Sequence, residues 1–183
     1  MPTLLPFRDY SEHDVINLFA WSGTIPVNRG TFVKPLNSGW RTDETDTSFL
    51  GSPGATYGNT VSVRYGTTPA VGVASTGDNV IGMLLWDVKE TDENGEKLIF
   101  KPRKAAEMQV AISGQTVPIV TRGIFLHSGN YTAGGPAVTA GAFAYVSGGD
   151  LMTTASNADD KSRVGKFLGA PNGKGHALLY LNI

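Results

Sequence analysis

Apolar residues in this chain come in short runs that alternate with polar ones, separated by clusters of Gly, Pro, Asn and Ser. Val61 to Tyr65 reads Val, Ser, Val, Arg, Tyr, and Ala70 to Ala74 is a brief apolar run between Pro69 and Gly77. Successive side chains of a strand point to opposite faces, so period-two segments of this length predict strands. Val15–Trp21 is too short and aromatic for its period to decide and is read as a strand, Thr24–Leu36 as a strand or hairpin, and further strands are expected over Asn79–Val88, Ala142–Val146, Leu151–Thr154, Arg163–Leu168 and His176–Ile183. Asn94-Gly95 is the strongest hairpin signal, because both residues tolerate positive φ, and it is expected to join Trp86-Asp87-Val88 to Leu98-Ile99-Phe100. A second hairpin is expected between Met108–Ile112 and Val117–Leu126, with Gly123 as a bulge. Lys101–Glu107 has room for one helical turn, and Ser11-Glu12-His13-Asp14 reads as a cap for a short helix.

One pattern recurs. Val27-Asn28-Arg29-Gly30-Thr31-Phe32 and Val138-Thr139-Ala140-Gly141-Ala142-Phe143 both read Val-x-x-Gly-x-Phe, 111 positions apart. Each is followed by a Gly flanked with aliphatics, Gly82 in Val80–Leu85 and Gly165 in Val164–Leu168. Each closes on a turn feeding an apolar run, Glu93–Glu96 before Leu98–Phe100 and Asn172–Gly175 before Ala177–Leu181. A repeated supersecondary unit is the natural reading, although Arg122-Gly123-Ile124-Phe125 resembles the first motif about as well. The second half is the firmer unit and the first a looser relative carrying insertions.

These elements predict an all-β protein of one or two small β-barrel or sandwich units built from short antiparallel strands. The expected divisions are an extended N-terminal arm over 1–14, a β domain over 15–107 with a long loop at 37–59, and a small barrel over 108–183. A loop of that length in a compact domain is usually functional or disordered.

Composition narrows the chemistry. The chain has 183 residues with 23 Gly and 10 Pro, which suits many tight turns. Fifteen basic residues against 16 acidic ones leave a net charge of −1, so no broad field draws the chain to nucleic acid or to an anionic membrane. There are no cysteines, which removes disulfides, thiolate zinc sites and cysteine nucleophiles together. The N-terminus lacks a signal-peptide pattern and no apolar run is long enough to span a bilayer, so a soluble chain made in the cytoplasm is expected.

A catalytic constellation is hard to assemble. His13, His127 and His176 are far apart, without the paired spacing of a metal site. Counting from Asp92, a calcium loop would need Gly at the sixth position and Glu at the twelfth, where Lys97 and Arg103 stand. Asp43, Glu44 and Asp46 read as a solvated surface. Gly173-Lys174 lacks the preceding Gly and following hydroxyl of a phosphate loop, and no Gly-x-Ser-x-Gly elbow occurs. Ser11, His13 and Asp14 are near neighbours that would point to different faces. Trp21, Trp40, Trp86, Tyr57 and Tyr65 could form a sugar-stacking platform, but core or interface burial is the commoner fate of aromatics.

The order Gly141-Ala142-Phe143-Ala144-Tyr145-Val146, turn Ser147–Asp150, Leu151–Thr154, Arg163-Val164-Gly165-Lys166-Phe167-Leu168, then a closing strand over Gly175–Asn182 resembles the small β-barrel of tailed-bacteriophage capsid decoration (cement) proteins. The resemblance covers 108–183 well and the first copy loosely. It implies a structural virion protein, not an enzyme, without cofactor or metal, bound to the outer surface of the capsid through the major capsid protein. It further implies a homo-oligomer, with a trimer favoured, and no nucleic-acid or membrane partner. Leu4, Leu5, Phe7, Arg8, Tyr10 and Trp21 are the expected capsid-contacting residues, with the arm laid along a neighbour as an added strand. A virion-displayed carbohydrate-binding or adhesion module is the alternative, and it asks for Trp40 and Tyr57 exposed on one surface.

Overall fold

The computed structural model describes residues 3–7, 10–36, 70–112, 115–129, 138–152 and 160–183. In chain order its strands are β1 (Thr3–Pro6), β2 (Val15–Ile16), β3 (Ala20–Trp21), β4 (Phe32–Pro35), β5 (Ala70–Val73), β6 (Gly82–Leu84), β7 (Asp87–Val88), β8 (Val110–Ala111), β9 (Ile119–Val120), β10 (Arg122–Ser128), β11 (Phe143–Ser147), β12 (Asp150–Met152), β13 (Arg163–Phe167) and β14 (His176–Asn182). One α-helix, α1 (Pro102–Glu107), carries Pro in its first turn, where the missing N–H is harmless. The all-β expectation holds, as two six-stranded sheets that face each other. Among the described residues neither sheet closes into a barrel.

The sheets run β2-β9-β6-β4-β5-β3 and β1-β10-β14-β13-β11-β12. Removing the outermost β3 and β1 leaves five strands in each, and the two sets have the same order in space and in sequence. In both, the first strand of the set lies beside the fifth, then come the fourth, second and third. The repeat seen in the sequence is therefore a structural duplication.

Its register can be followed atom by atom. Gly30 N–H donates to Leu84 O at 2.7 Å and Leu84 N–H returns to Thr31 O at 2.9 Å; Gly141 N–H donates to Phe167 O at 2.7 Å and Phe167 N–H returns to Ala142 O at 2.9 Å. Gly30 and Gly141 have φ of 88° and 86°, the left-handed turn conformation that glycine adopts without steric cost. Val33 faces Gly82 and Met83 faces Val120 in one sheet, while Ala144 faces Gly165 and Lys166 faces Tyr180 in the other. A Cβ on Gly165 would lie 2.0 Å from Tyr180 O, and one on Gly82 would lie 2.6 Å from Val120 O. Both glycines thus let a neighbouring backbone approach at the same place in the motif.

This correspondence corrects several expectations. The strand equivalent to β14 is β9, not Leu98–Phe100, which forms a 3₁₀ turn. Asn94-Gly95 sits in a tight loop closed by Asp92, whose side chain accepts from Asn94 N–H and Glu96 N–H, but Asp87–Val88 pairs in parallel with Val110–Ala111 rather than in a hairpin across the turn. Among the described residues the expected hairpin of Met108–Ile112 with Val117–Leu126 does not form, since β8 pairs with β7 and both edges of β9 are taken by β2 and β6. The expected strand over Val117–Leu126 is two strands, one in each sheet, with Thr121 at the crossing. The boundary between the copies thus falls at Thr121–Arg122, and strands from both sides of 107/108 share each sheet. The strand reading of Val15–Trp21 holds as two short strands, β2 and β3. Ser11 caps a 3₁₀ turn over Glu12–Asp14, its Oγ accepting from His13 N–H at 3.2 Å. The loop at 37–59, the strand at 61–65, Trp40, Tyr57 and the Asp43, Glu44, Asp46 group lie outside the described residues.

The main core lies between the sheets. Phe32, Met83 and Val120 of the first sheet meet Phe125, Val164, Phe167 and Leu179 of the second. The opposite face of the first sheet, with Val33, Leu84 and Ile119, is sealed by Trp21 and by Val88 and Ala111 of an inserted segment. That segment, carrying β7, α1 and β8, occupies the connection that Leu168–Gly175 makes directly in the second copy. Leu98, Ala105, Val110 and Ile112 form its own small cluster.

Candidate functional site

Strand alternation in the second sheet sends Phe125, Phe167, Ala177, Leu179 and Leu181 inward, so their neighbours in sequence must point outward. The registers place those outward residues in rows across the strands. Leu5 faces Leu126, which faces Leu178, and Leu168 N–H donates to Leu178 O. Phe7 N–H donates to Ile124 O, Ile124 faces Tyr180, Tyr180 faces Lys166 and Lys166 faces Phe143. Arg122 faces Asn182 at the end of a third row. Leu5 and Phe7 are 49% and 57% exposed, and Leu168 and Phe143 are also open to solvent. This is a contiguous sheet face of apolar residues edged by basic ones, and a patch of this size on a soluble protein is often a functional contact surface.

The duplication shows what the face is. By register, Phe143 corresponds to Phe32, Lys166 to Met83, Tyr180 to Val120 and Ile124 to Val15. In the first copy all four pack in or against the main core, because the second copy lies on top of them. The identical face of the second copy has nothing from this chain over it among the described residues.

At its centre Phe143 carries two cations. Arg163 Cζ lies 5.1 Å and Lys166 Nζ 5.0 Å from the ring centroid. These side chains, with Gly165, Tyr180 and Asn182, line a hollow of about 450 Å³. Arg122, Arg163 and Lys166 on these rows are all basic.

The expected contact residues separate into groups. Leu5 and Phe7 stand on the outward face. Leu4 points the other way and is buried in the main core, and Trp21 is buried in the second cluster with its Nε1 donating to Thr24 O at 3.2 Å; both are structural, and their assignment as capsid contacts is corrected. The cause is local: Leu4 alternates with Leu5 along β1, and Trp21 sits on the sealed side of the first sheet. Tyr10 packs beside Phe125, ring centroids 6.1 Å apart, and keeps part of its ring exposed. Arg8 lies outside the described residues. The arm itself is no free tail. Through β1 it forms the edge strand of the second sheet, antiparallel to β10. For Leu126, Phe143, Leu178 and Tyr180 the sequence shows a period-two placement but not which side of the sheet is open.

Other titratable groups serve the fold. His127 is buried where the copies meet, its Nε2 donating to Gly30 O at 2.8 Å beside the Phe32 ring, and burial pushes its pKa down to about 4. Lys104 reaches the enclosed side chain of Asp92, and that hydrogen bond, aided by the loop N–H groups, holds the carboxyl at about 2. Among the described residues no three His, Cys, Asp or Glu side chains converge as a metal site would require. No described helix is long and apolar enough to cross a membrane.

No family model matches this chain, and no curated protein or solved structure matches it either.

Proposed function

We propose that this protein is a non-enzymatic structural component of a virion, a decoration protein that binds the outside of an assembled phage capsid and stabilises it. The observation that carries the reading is the uncovered outward face of the second sheet, whose counterpart in the first sheet is buried. Among the described residues nothing covers this face, and we take its cover to be another molecule. Leu5 and Phe7 of β1 extend the face, so the N-terminal strand contributes to docking as part of the sheet.

The occupant is a protein surface that is both apolar and acidic. The rows of Leu and Ile demand apolar complementarity, and Arg122, Arg163 and Lys166 oppose a second copy of the same face through like charge. Five strands at about 4.8 Å spacing, each five or so residues long, give a face of roughly 400 Å². A standard stable interface buries about 800 Å² per partner. One face alone therefore supports modest affinity, which suits a small oligomer, a trimer on a local symmetry axis, gaining avidity by engaging several equivalent sites together. Binding the assembled shell and not free subunits would stabilise the shell by mass action.

The test is rebinding. Shells assembled from the major capsid protein without this protein should take it up saturably and melt at a higher temperature. Shells that neither bind it nor change their melting temperature would end this reading. The carbohydrate-binding alternative asks for Trp40 and Tyr57, which are outside the described residues, and no described feature favours it.

A further inference from the structure

We infer that Asn172-Gly173 is a self-modification site, at which the folded protein converts its own asparagine to aspartate and isoaspartate through a cyclic imide. The site is separate from the docking face, and its test does not involve the shell.

Asp92–Glu96 in the first copy and Asn172–His176 in the second are the same five-residue loop. Asp92 N–H donates to Glu96 O at 3.0 Å and Gly95 N–H to Asp92 O at 3.1 Å; Asn172 N–H donates to His176 O at 2.8 Å and Gly175 N–H to Asn172 O at 2.9 Å. The first side chain closes the loop in both. Asp92 Oδ1 accepts from Asn94 N–H and Glu96 N–H at 2.9 and 2.8 Å, and Asn172 Oδ1 accepts from Lys174 N–H and His176 N–H at 2.9 and 3.0 Å. Gly95 and Gly175 have φ of 80° and 78°. What differs is the pair that opens the loop, Asp92-Glu93 in one copy and Asn172-Gly173 in the other.

An asparagine amide is attacked at Cγ by the backbone nitrogen of the next residue, and glycine leaves that nitrogen unshielded because it has no Cβ. At Asn172 both reacting groups are set. Among the described residues Gly173 N–H donates to nothing, so its proton is open to hydroxide. The bond from Lys174 N–H folds the Asn172 side chain over the Gly173 peptide. As the nitrogen bonds to Cγ, negative charge develops on Oδ1, where two backbone N–H groups already point; donors placed in advance at a developing oxyanion accelerate its formation. The Cγ–Nδ2 bond then breaks, and ammonia leaves with a proton from water. A second water opens the imide, at Cγ to give aspartate or at the Asn172 main-chain carbonyl to give isoaspartate. Asn94-Gly95 has the opposite arrangement: Gly95 N–H is tied to Asp92 O, and among the described residues no donor meets Asn94 Oδ1. Asp92 shows that the same loop holds a carboxylate in the product's position. Isoaspartate instead adds a methylene to the main chain, which misaligns Asn172 N–H with His176 O and loosens the turn between β13 and β14.

Peptide mapping by mass spectrometry tests the site, on full-length folded protein held at mildly alkaline pH in heavy-oxygen water. The same protein in denaturant supplies the rates that local sequence alone sets. In the folded protein Asn172 should take up heavy oxygen at least about 10-fold faster than Asn94, the scale of one well-placed oxyanion donor, whereas in denaturant the two should react at similar rates. Gly173→Ala should slow conversion of Asn172 sharply and leave the unfolding midpoint unchanged, because Gly173 has no positive φ and a Cβ there meets nothing within 4 Å. Three results would overturn the site: a folded protein whose Asn172 keeps its amide while losing it in denaturant, folded rates that are equal at Asn172 and Asn94, or a Gly173→Ala variant that converts as fast as the unaltered protein.

Discussion

Among the described residues the first copy of the motif is buried on both faces and the second on only one, although the two share strand order, register and even the positions of their special glycines. What differs is context. An inserted segment seals one side of the first sheet, and the second copy covers the other; among the described residues the second copy is covered only by the first. Equivalent backbones therefore meet different solvents, and side chains have followed. Phe32, Met83 and Val80 became core, whereas Phe143, Lys166 and Arg163 became a cationic, aromatic surface. A duplicated fold thus supplies its own control, because each residue of the open face can be judged against a counterpart whose role is fixed by burial.

The comparison can be broken most severely at the glycines. Gly165→Ala should cost about 4 kcal/mol or more, beyond the usual range for a point change, because its Cβ would stand 2.0 Å from a backbone carbonyl that cannot move alone. Gly82→Ala should be damaging at the matching place, where the obstacles are the Ile119 side chain at 2.3 Å and the Val120 carbonyl at 2.6 Å. Denaturant unfolding of both variants reads this directly, and a mild effect at either would mean that the copies do not share the close approach.

The phenylalanines sharpen the same contrast. Phe32→Ala should cost about 3–5 kcal/mol as a buried aromatic deletion. Phe143→Ala, at the equivalent position but 42% exposed, should cost below about 1 kcal/mol, the loss of two surface cation contacts. Similar costs for the two would show that the outward face is already covered within the isolated protein.

The seam between the copies is tested by pH. His127 is neutral in the folded protein down to about pH 4, whereas the unfolded side chain gains a proton near its ordinary value of 6.5. Between those values the unfolded state binds more protons, so this contribution is fully present above pH 6.5 and is lost as the pH falls toward 4. The expected loss is roughly 3 kcal/mol, and His127→Gln should flatten the stability profile over that window. A profile unchanged by the substitution would remove His127 from the account of the seam.

The smallest effect concerns how each copy begins. The second is entered directly from Thr121, but the first is entered through the 3₁₀ turn capped by Ser11, so Ser11→Ala should cost only about 0.5–1 kcal/mol. Unfolding midpoints of the two proteins check it.

Much of this fold was legible in the chain. The Val-x-x-Gly-x-Phe repeat and the glycines at 82 and 165 marked positions where backbone geometry demands a particular residue, and such demands are local. The closing strand of the first copy was not legible, because Ile119–Val120 runs into Arg122–Ser128 without a turn signal and reads as one strand. Nor was the parallel pairing of Asp87–Val88 with Val110–Ala111, since Asn94-Gly95 does turn the chain back, but the antiparallel pairing it makes reaches only Thr91 and Lys97. The candidate site shows the same limit. Alternation tells that Leu4 and Leu5 point to opposite sides, but only the stacking of the sheets decides which side is core. Leu4 and Trp21 therefore look like contacts in the sequence although they are interior, and nothing in it marks the outward rows of β10 and β14.

The central claim is that the outward face of the second copy is covered in the working assembly as its counterpart is covered within the chain. Hydroxyl-radical footprinting of free and shell-bound protein tests it most directly. Phe7, Phe143, Leu178 and Tyr180 should lose most of their labelling on binding, while Ile99 and Phe100 on the inserted segment should keep theirs. Unchanged labelling of Phe143 and Tyr180 on protein that is demonstrably bound would contradict it.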